Sequence, residues 1–231
     1  MNLFDLNWEI IWNYRELYIR GIGITLILTL AGYLIGVSFG VVLGLAQTSK
    51  NKIIYWAAKL YVDLFRGTPM LVQIYIIHLA LIPTIFGESK GWLVSGIIAL
   101  GLNSAAYNAE IFRAGIQSID KGQMEAARSL GLTHGQAMRK VIMPQAVRRM
   151  VPPLGNEFIT LLKDSSLINV IAAADILYAS KMIAGTFGKV WEPYLFAALL
   201  YLLMTLVITK IISIIEKKYS FDNPRRKKGR A

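Results

Sequence analysis

The sequence predicts an all-α, polytopic membrane protein with five transmembrane helices and one folded polar loop on the inner side. Three observations carry this. Of 231 residues, 55% are hydrophobic, and a mean hydropathy of +0.49 is too high for an ordinary soluble domain. Apolar runs of about 20 residues, the length needed to cross a bilayer, recur along the chain. Between two of them stands a polar island, residues 120–144, with helix-start signals of its own.

Residues 1–20 read as an interfacial segment on the outer side. Trp8 and Trp12 are one helical turn apart, with Tyr14 and Tyr18 nearby, and such aromatics favour the membrane interface. Residues 3–18 fit either a short surface helix or an extension of the first span. Asp5, Glu9 and Glu16 stand where a cleaved leader would be basic.

The transmembrane domain is expected over 21–215. Its first span, 21–46, carries Gly32, Gly36, Gly40 and Gly44 at four-residue spacing, a ladder that lets another helix approach closely. The second runs from 53 to about 82 and starts with Lys59, Asp63 and Arg66 on one face. An ion-pair ladder accounts for Lys59 and Asp63, and Pro69 should kink the helix. Pro83, Gly87 and Gly91 mark 83–91 as an outer loop, and the third span is 92–113.

Within the loop 116–150, Asp120 with Gln123 and Thr133 with Gln136 both match a capping box. Gly131 falls where a left-handed residue would close the first helix, and Pro144 bounds the second. This predicts two short helices joined by a sharp turn. The fourth span is opened by Pro152 and Pro153, holds Glu157, and is broken at 163–166. Residues 172–192 read as an outer segment. Pro193 suits the first turn of the fifth span, 194–215, from which Lys210 can snorkel.

Charge orients the chain. The segments 47–66, 111–150 and 210–231 hold 4, 7 and 8 Lys plus Arg, 19 of the 25. By the positive-inside rule these are cytoplasmic, so the N-terminus is outside and the C-terminus inside. The basic tail 216–231 is then a membrane-lipid anchor, a simpler reading of the net +11 than nucleic-acid binding.

Several chemistries are excluded or weakened. With no Cys there are no disulfides or thiolate metal sites, and His78 and His134 form no metal pair. Gly188-Lys189-Val190 lacks the first Gly and the Ser/Thr of a phosphate-binding loop, so ATP hydrolysis would need another subunit.

Polar residues within spans are functional candidates because lipid makes them costly. Asn103, Tyr107 and Glu110 share one face of span three, and Glu157, Thr160 and Asp164 share one face of span four. Facing each other, the two stripes would line a cavity, with Glu157 receiving an ammonium group and Asn103 and Tyr107 adding neutral hydrogen bonds. The alternative is interhelical pairing, worth about 0.6 kcal/mol per bond on average. Pairing is preferred for Glu110, which has Arg113 beside it, and for Lys163 and Asp164.

Glu125-Ala126-Ala127, then Gly131, then Ile142-Met143-Pro144 resembles the EAA signature of ABC importer permeases, with Met143 in place of the family's Leu. Arg66-Gly67-Thr68-Pro69, the run 103–107, the run 109–115 and Gly155-Asn156-Glu157-Phe158-Ile159 are similar to the polar amino-acid uptake branch. The resemblance spans roughly residues 20–215. It implies that 120–144 is a coupling helix docking on a separate ATPase, with Ala126, Ala127 and Leu130 as its apolar face, Glu125 and Arg128 setting its orientation, and Gly131 its turn. It implies an ABC ATPase dimer holding the Mg-ATP, a second permease chain (identical or sister), an extracellular or periplasmic amino-acid-binding protein, and a bacterial inner-membrane location. The chain itself would hold no cofactor and be no enzyme. On this reading Asn103, Tyr107, Glu157 and Thr160 bind substrate, and Arg66, Lys163 and Asp164 serve the pathway or its gate. Polar or cationic amino acids are the expected solutes, with cystine an alternative. An intramembrane enzyme using Glu157 and Asp164 has little support, because seven helical residues place them about 10 Å apart. A channel or scaffold would leave the capped loop unexplained.

Overall fold

The computed structural model describes residues 6–219, which are helical almost throughout and contain no strand. Residues 1–5 and most of the basic tail lie outside the described residues. The helices are α1 (Glu9–Asn13), α2 (Arg15–Ala46), α3 (Lys52–Gly67), α4 (Met70–Tyr75), α5 (Ile82–Phe86), α6 (Gly91–Gln117), α7 (Lys121–Ser129), α8 (His134–Ala137), α9 (Met143–Asp164), α10 (Ile176–Phe187) and α11 (Trp191–Tyr219). A π-helical stretch, Ile76–Leu81, joins α4 to α5, and another, Met138–Ile142, joins α8 to α9.

Among the described residues two helices are long and apolar enough to cross a membrane alone, Arg15–Ala46 and Trp191–Lys217. Two bent pairs would each add one: Lys52–Gly67 with Met70–Phe86, and His134–Ile171 with Ile176–Phe187. The 27-residue α6 is long enough, but Asn103, Ser104, Asn108 and Glu110 lower its apolarity. Length and composition therefore do not fix the count at five.

The centre of the fold is the packing of α2 on α6, its most extensive helix pair. A Cβ added at Gly32, Gly36 or Gly40 would lie 2.8, 2.6 or 2.6 Å from the Cβ of Leu100, Ser104 or Asn108, and one at Gly44 would lie 2.8 Å from that of Phe112. The glycine ladder of α2 thus meets a four-residue ladder of α6 at backbone distance, as small-residue packing requires. A core of Leu28, Ile74, Ile77, Leu100, Leu161 and Ile168 gathers α2, α4, α6, α9 and the stretches that follow α4 and α9.

The kink expected at Pro69 is present and sharp: Lys52–Gly67 and Met70–Phe86 meet at a bend of 108° across Thr68–Pro69. Pro69 has no N–H and holds an extended backbone (φ −65°, ψ 135°), which also keeps Thr68 out of the helix. One expectation is corrected: Pro152 and Pro153 do not open a helix, and Pro144 begins one instead of ending one. Pro144 sits in the first turn of α9, and the Pro pair lies inside it. Residues 172–192, expected as an outer segment, contain the helix α10, which Asp175 caps through the N–H of Tyr178 at 2.8 Å. The predicted break at 163–166 does occur: α9 ends at Asp164 and a tighter 3-10 stretch, Ser165–Ile171, follows.

Candidate functional site

The loop between α6 and α9 begins where α6 ends. Asp120 caps α7 by accepting from the N–H of Gly122 at 2.7 Å. The full capping box expected there does not form; the Gln123 side chain instead accepts from Gln145 of α9 at 3.3 Å. The second box does form: Thr133 Oγ1 accepts from Gln136 N, and Gln136 Oε1 accepts from Thr133 N at 2.8 Å. Gly131, at φ +84°, closes α7. The N–H of Leu132 reaches the Ala127 carbonyl at 3.2 Å, and that of Gly131 reaches Arg128 at 3.0 Å, the paired bonds of a Schellman stop.

The loop is anchored by packing. Met124 and Met138 rest on Phe112, Ile119, Ile142, Ala146 and Met150, and Arg149 of α9 donates to the Ser118 carbonyl. Of the apolar residues expected to share one face, Ala127 is 4% exposed and turned toward the protein, whereas Leu130 is 84% exposed. Ala126, Leu130 and Glu125 form the outward face. Arg128 does not pair with Glu125 but donates to the Leu132 carbonyl at 3.0 Å.

The polar residues of α6 and α9 do not assemble as the two stripes predicted. Glu157 is buried, and its Oε1 accepts from Ser104 Oγ at 3.0 Å. Ser104 Oγ in turn accepts from Asn108 Nδ2 at 2.9 Å. Ser104, part of the run 103–107 but not among the expected site residues, and Asn108, outside that run, therefore form the face of α6 that meets Glu157. The four-residue ladder facing the glycines was the signal that could have found them. Asn103 turns elsewhere and donates to Gln73 Oε1 at 2.8 Å. Gln73, also unforeseen, donates to Phe65 O at 2.8 Å, Thr68 O at 3.0 Å and Thr68 Oγ1 at 2.8 Å. It thus satisfies carbonyls freed by the 108° break.

Tyr107 is exposed and lies under the guanidinium of Arg66, 5.5 Å from its ring centroid. Arg66 is 3.8 Å from Glu110, which also holds Arg113 through Nε at 3.0 Å. Lys59 pairs with Asp63 at 2.7 Å. Thr160 and Lys163 lie on the exposed side of α9, and Asp164 is half-buried beside the break. No ion pair joins Lys163 to Asp164 among the described residues. His78 Nδ1 is 2.8 Å from Ser95 Oγ, which donates to the Gly91 carbonyl.

Residues 32–221 match the family of binding-protein-dependent transport system inner membrane components. The chain belongs to that family. It is therefore the membrane component of a transport system, a non-enzymatic subunit whose ATP is hydrolysed elsewhere. It is similar to the arginine transport system permease protein ArtQ of Bacillus subtilis (strain 168), 37% identical over 87% of this chain and 91% of that one. The probable glutamine ABC transporter permease protein GlnM of the same organism is 35% identical over 92% of this chain and 98% of its own length. Among solved structures, an amino acid ABC transporter crystallised with histidines matches with a TM-score of 0.87 and 41% identity, covering 93% of this chain and all of that one.

Proposed function

We propose that this chain is the permease of an ATP-driven importer of polar or cationic amino acids, working as a pair of permease chains. The observation that carries the reading is Glu157. A carboxylate in the second half of α9, hydrogen-bonded to Ser104, sits beside the exposed Asn156 and one turn from the exposed Thr160. A polar helix face of this kind is unfavourable against lipid, so it belongs on a water-lined path or against a second chain. Glu157 offers an acceptor to an ammonium or guanidinium group passing along that face. The relatives named for arginine and glutamine support the same solute class.

Coupling runs through the outward face of α7, Glu125, Ala126 and Leu130, seated on an ATPase. The motif residues Ala127 and Gly131 shape that face from within. Arg66 lies at the inner end of the path, with Lys163 and Asp164 at the break. A substrate-binding protein delivers the solute at the outer side, where the N-terminus lies. The test is reconstitution with an ATPase and binding protein from the same source. ATP-dependent uptake of arginine, glutamine or histidine is expected, and Glu157→Gln should weaken preference for cationic solutes. Unchanged affinity and preference in that variant would remove Glu157 from the path.

A further inference from the structure

A polar cavity of about 330 Å³ opens beside the inner end of α6, away from Glu157, and is lined by Gln47, Tyr55, Lys59, Val62, Asp63, Arg66, Glu110, Arg113 and Gln117. Its size falls within the range of small-molecule sites, about 300–1,000 Å³. Its charges do not cancel. Lys59, Arg66 and Arg113 face Asp63 and Glu110, leaving one positive charge in excess. Glu110 is consumed by two arginines, and Asp63 Oδ2 by Lys59. What remains is mainly donors.

One of those donors lacks a partner. Gln47 is 8% exposed, and its buried Nε2 has no hydrogen bond among the described residues. Leaving such a donor unpaired costs about 1–3 kcal/mol, a penalty that a bound acceptor removes. We propose that this cavity is a cytoplasmic site for a free amino acid. Its carboxylate takes the Gln47 amide and the excess guanidinium charge, and its ammonium lies toward the outer oxygen of Asp63. The site rests on the amino-acid reading above and adds product control to it. Gln117 closes α6 only four residues before α7 begins, and Arg113 Nη1 holds it at 2.6 Å. An occupant there stiffens the root of the coupling loop and slows import when the cell is replete.

The test uses the complete permease–ATPase complex in proteoliposomes, with ATP inside and binding protein outside. Initial uptake is measured with the lumen empty, or preloaded with the carried amino acid, acetate or inorganic phosphate. Preloaded amino acid should slow wild-type uptake in a dose-dependent way. Gln47→Leu and Asp63→Asn should raise the inhibitory concentration fivefold or more, with empty-lumen uptake within twofold of wild type. Inhibition absent in wild type, or unmoved by Gln47→Leu, overturns the site. Equal inhibition by acetate or phosphate overturns the amino acid as its occupant. Absence of amino-acid uptake into empty wild-type vesicles would instead overturn the import reading itself.

Discussion

The Ser104 hydroxyl donates to the Glu157 carboxylate at 3.0 Å, joining α6 to α9. Ser104 also sits where α2 comes closest, its Cβ 2.6 Å from the place a side chain at Gly36 would begin. Ser104→Ala should cost only about 0.6 kcal/mol of stability, the mean for such a bond in a membrane. Its larger effect is on transport, because the carboxylate loses its orientation. Uptake kinetics across solutes in the reconstituted system would check this, and wild-type affinity in the variant would contradict it.

Gly36→Val or Gly40→Val should be far more damaging. Each added Cβ would lie 2.6 Å from a Cβ of α6, and overpacking of this kind costs typically about 1–3 kcal/mol, sometimes more. The yield of monodisperse protein in detergent and its melting temperature are the readouts. Gly23→Ala on the same helix, with nothing within 4 Å, serves as the neutral control.

Gln73→Leu should loosen the turn between α3 and α4. It removes three donated bonds and the one accepted from Asn103, leaving buried groups unpaired at about 1–3 kcal/mol each. Asn103→Leu loses one of these bonds and should be milder. The order of the two melting temperatures is the check.

Gly131→Ala should destabilise the coupling loop by about 1–2 kcal/mol, because a Cβ disfavours the left-handed conformation that Gly131 holds at φ +84°. Open space around it leaves strain, not collision, as the cause. Faster amide hydrogen exchange across 121–137 would report this.

Leu130→Asp and Ala127→Leu should separate partner contact from folding. Leu130 is 84% exposed, so its change should leave melting unaltered while weakening ATPase co-purification at least tenfold. Ala127 is 4% exposed, and its enlargement should lower the melting temperature. Equal co-purification of the Leu130 variant and wild type would remove α7's outward face from the interface.

Much of the architecture could be read before any coordinates. The two short loop helices, their turn at Gly131, the glycine ladder, the break after Lys163 and the ion pairs Lys59–Asp63 and Glu110–Arg113 all stand as expected. The site was less legible. Tyr107 and Asn103 were matched with Glu157, yet one stacks under Arg66 and the other braces Gln73.

Sequence by itself determined the properties that are local to the chain: helical content, hydropathy, caps, the small-residue ladder and the bias in charge. These depend on neighbours within a turn or two, and residue order states those directly. Tertiary structure alone decided which side of α6 meets Glu157. Asn103 and Ser104 are adjacent in sequence but point about 100° apart around the helix. The close seating of α2's glycines against Leu100, Ser104 and Asn108 selects between them. That selection is made by contact between segments distant along the chain, which periodicity within one segment does not encode.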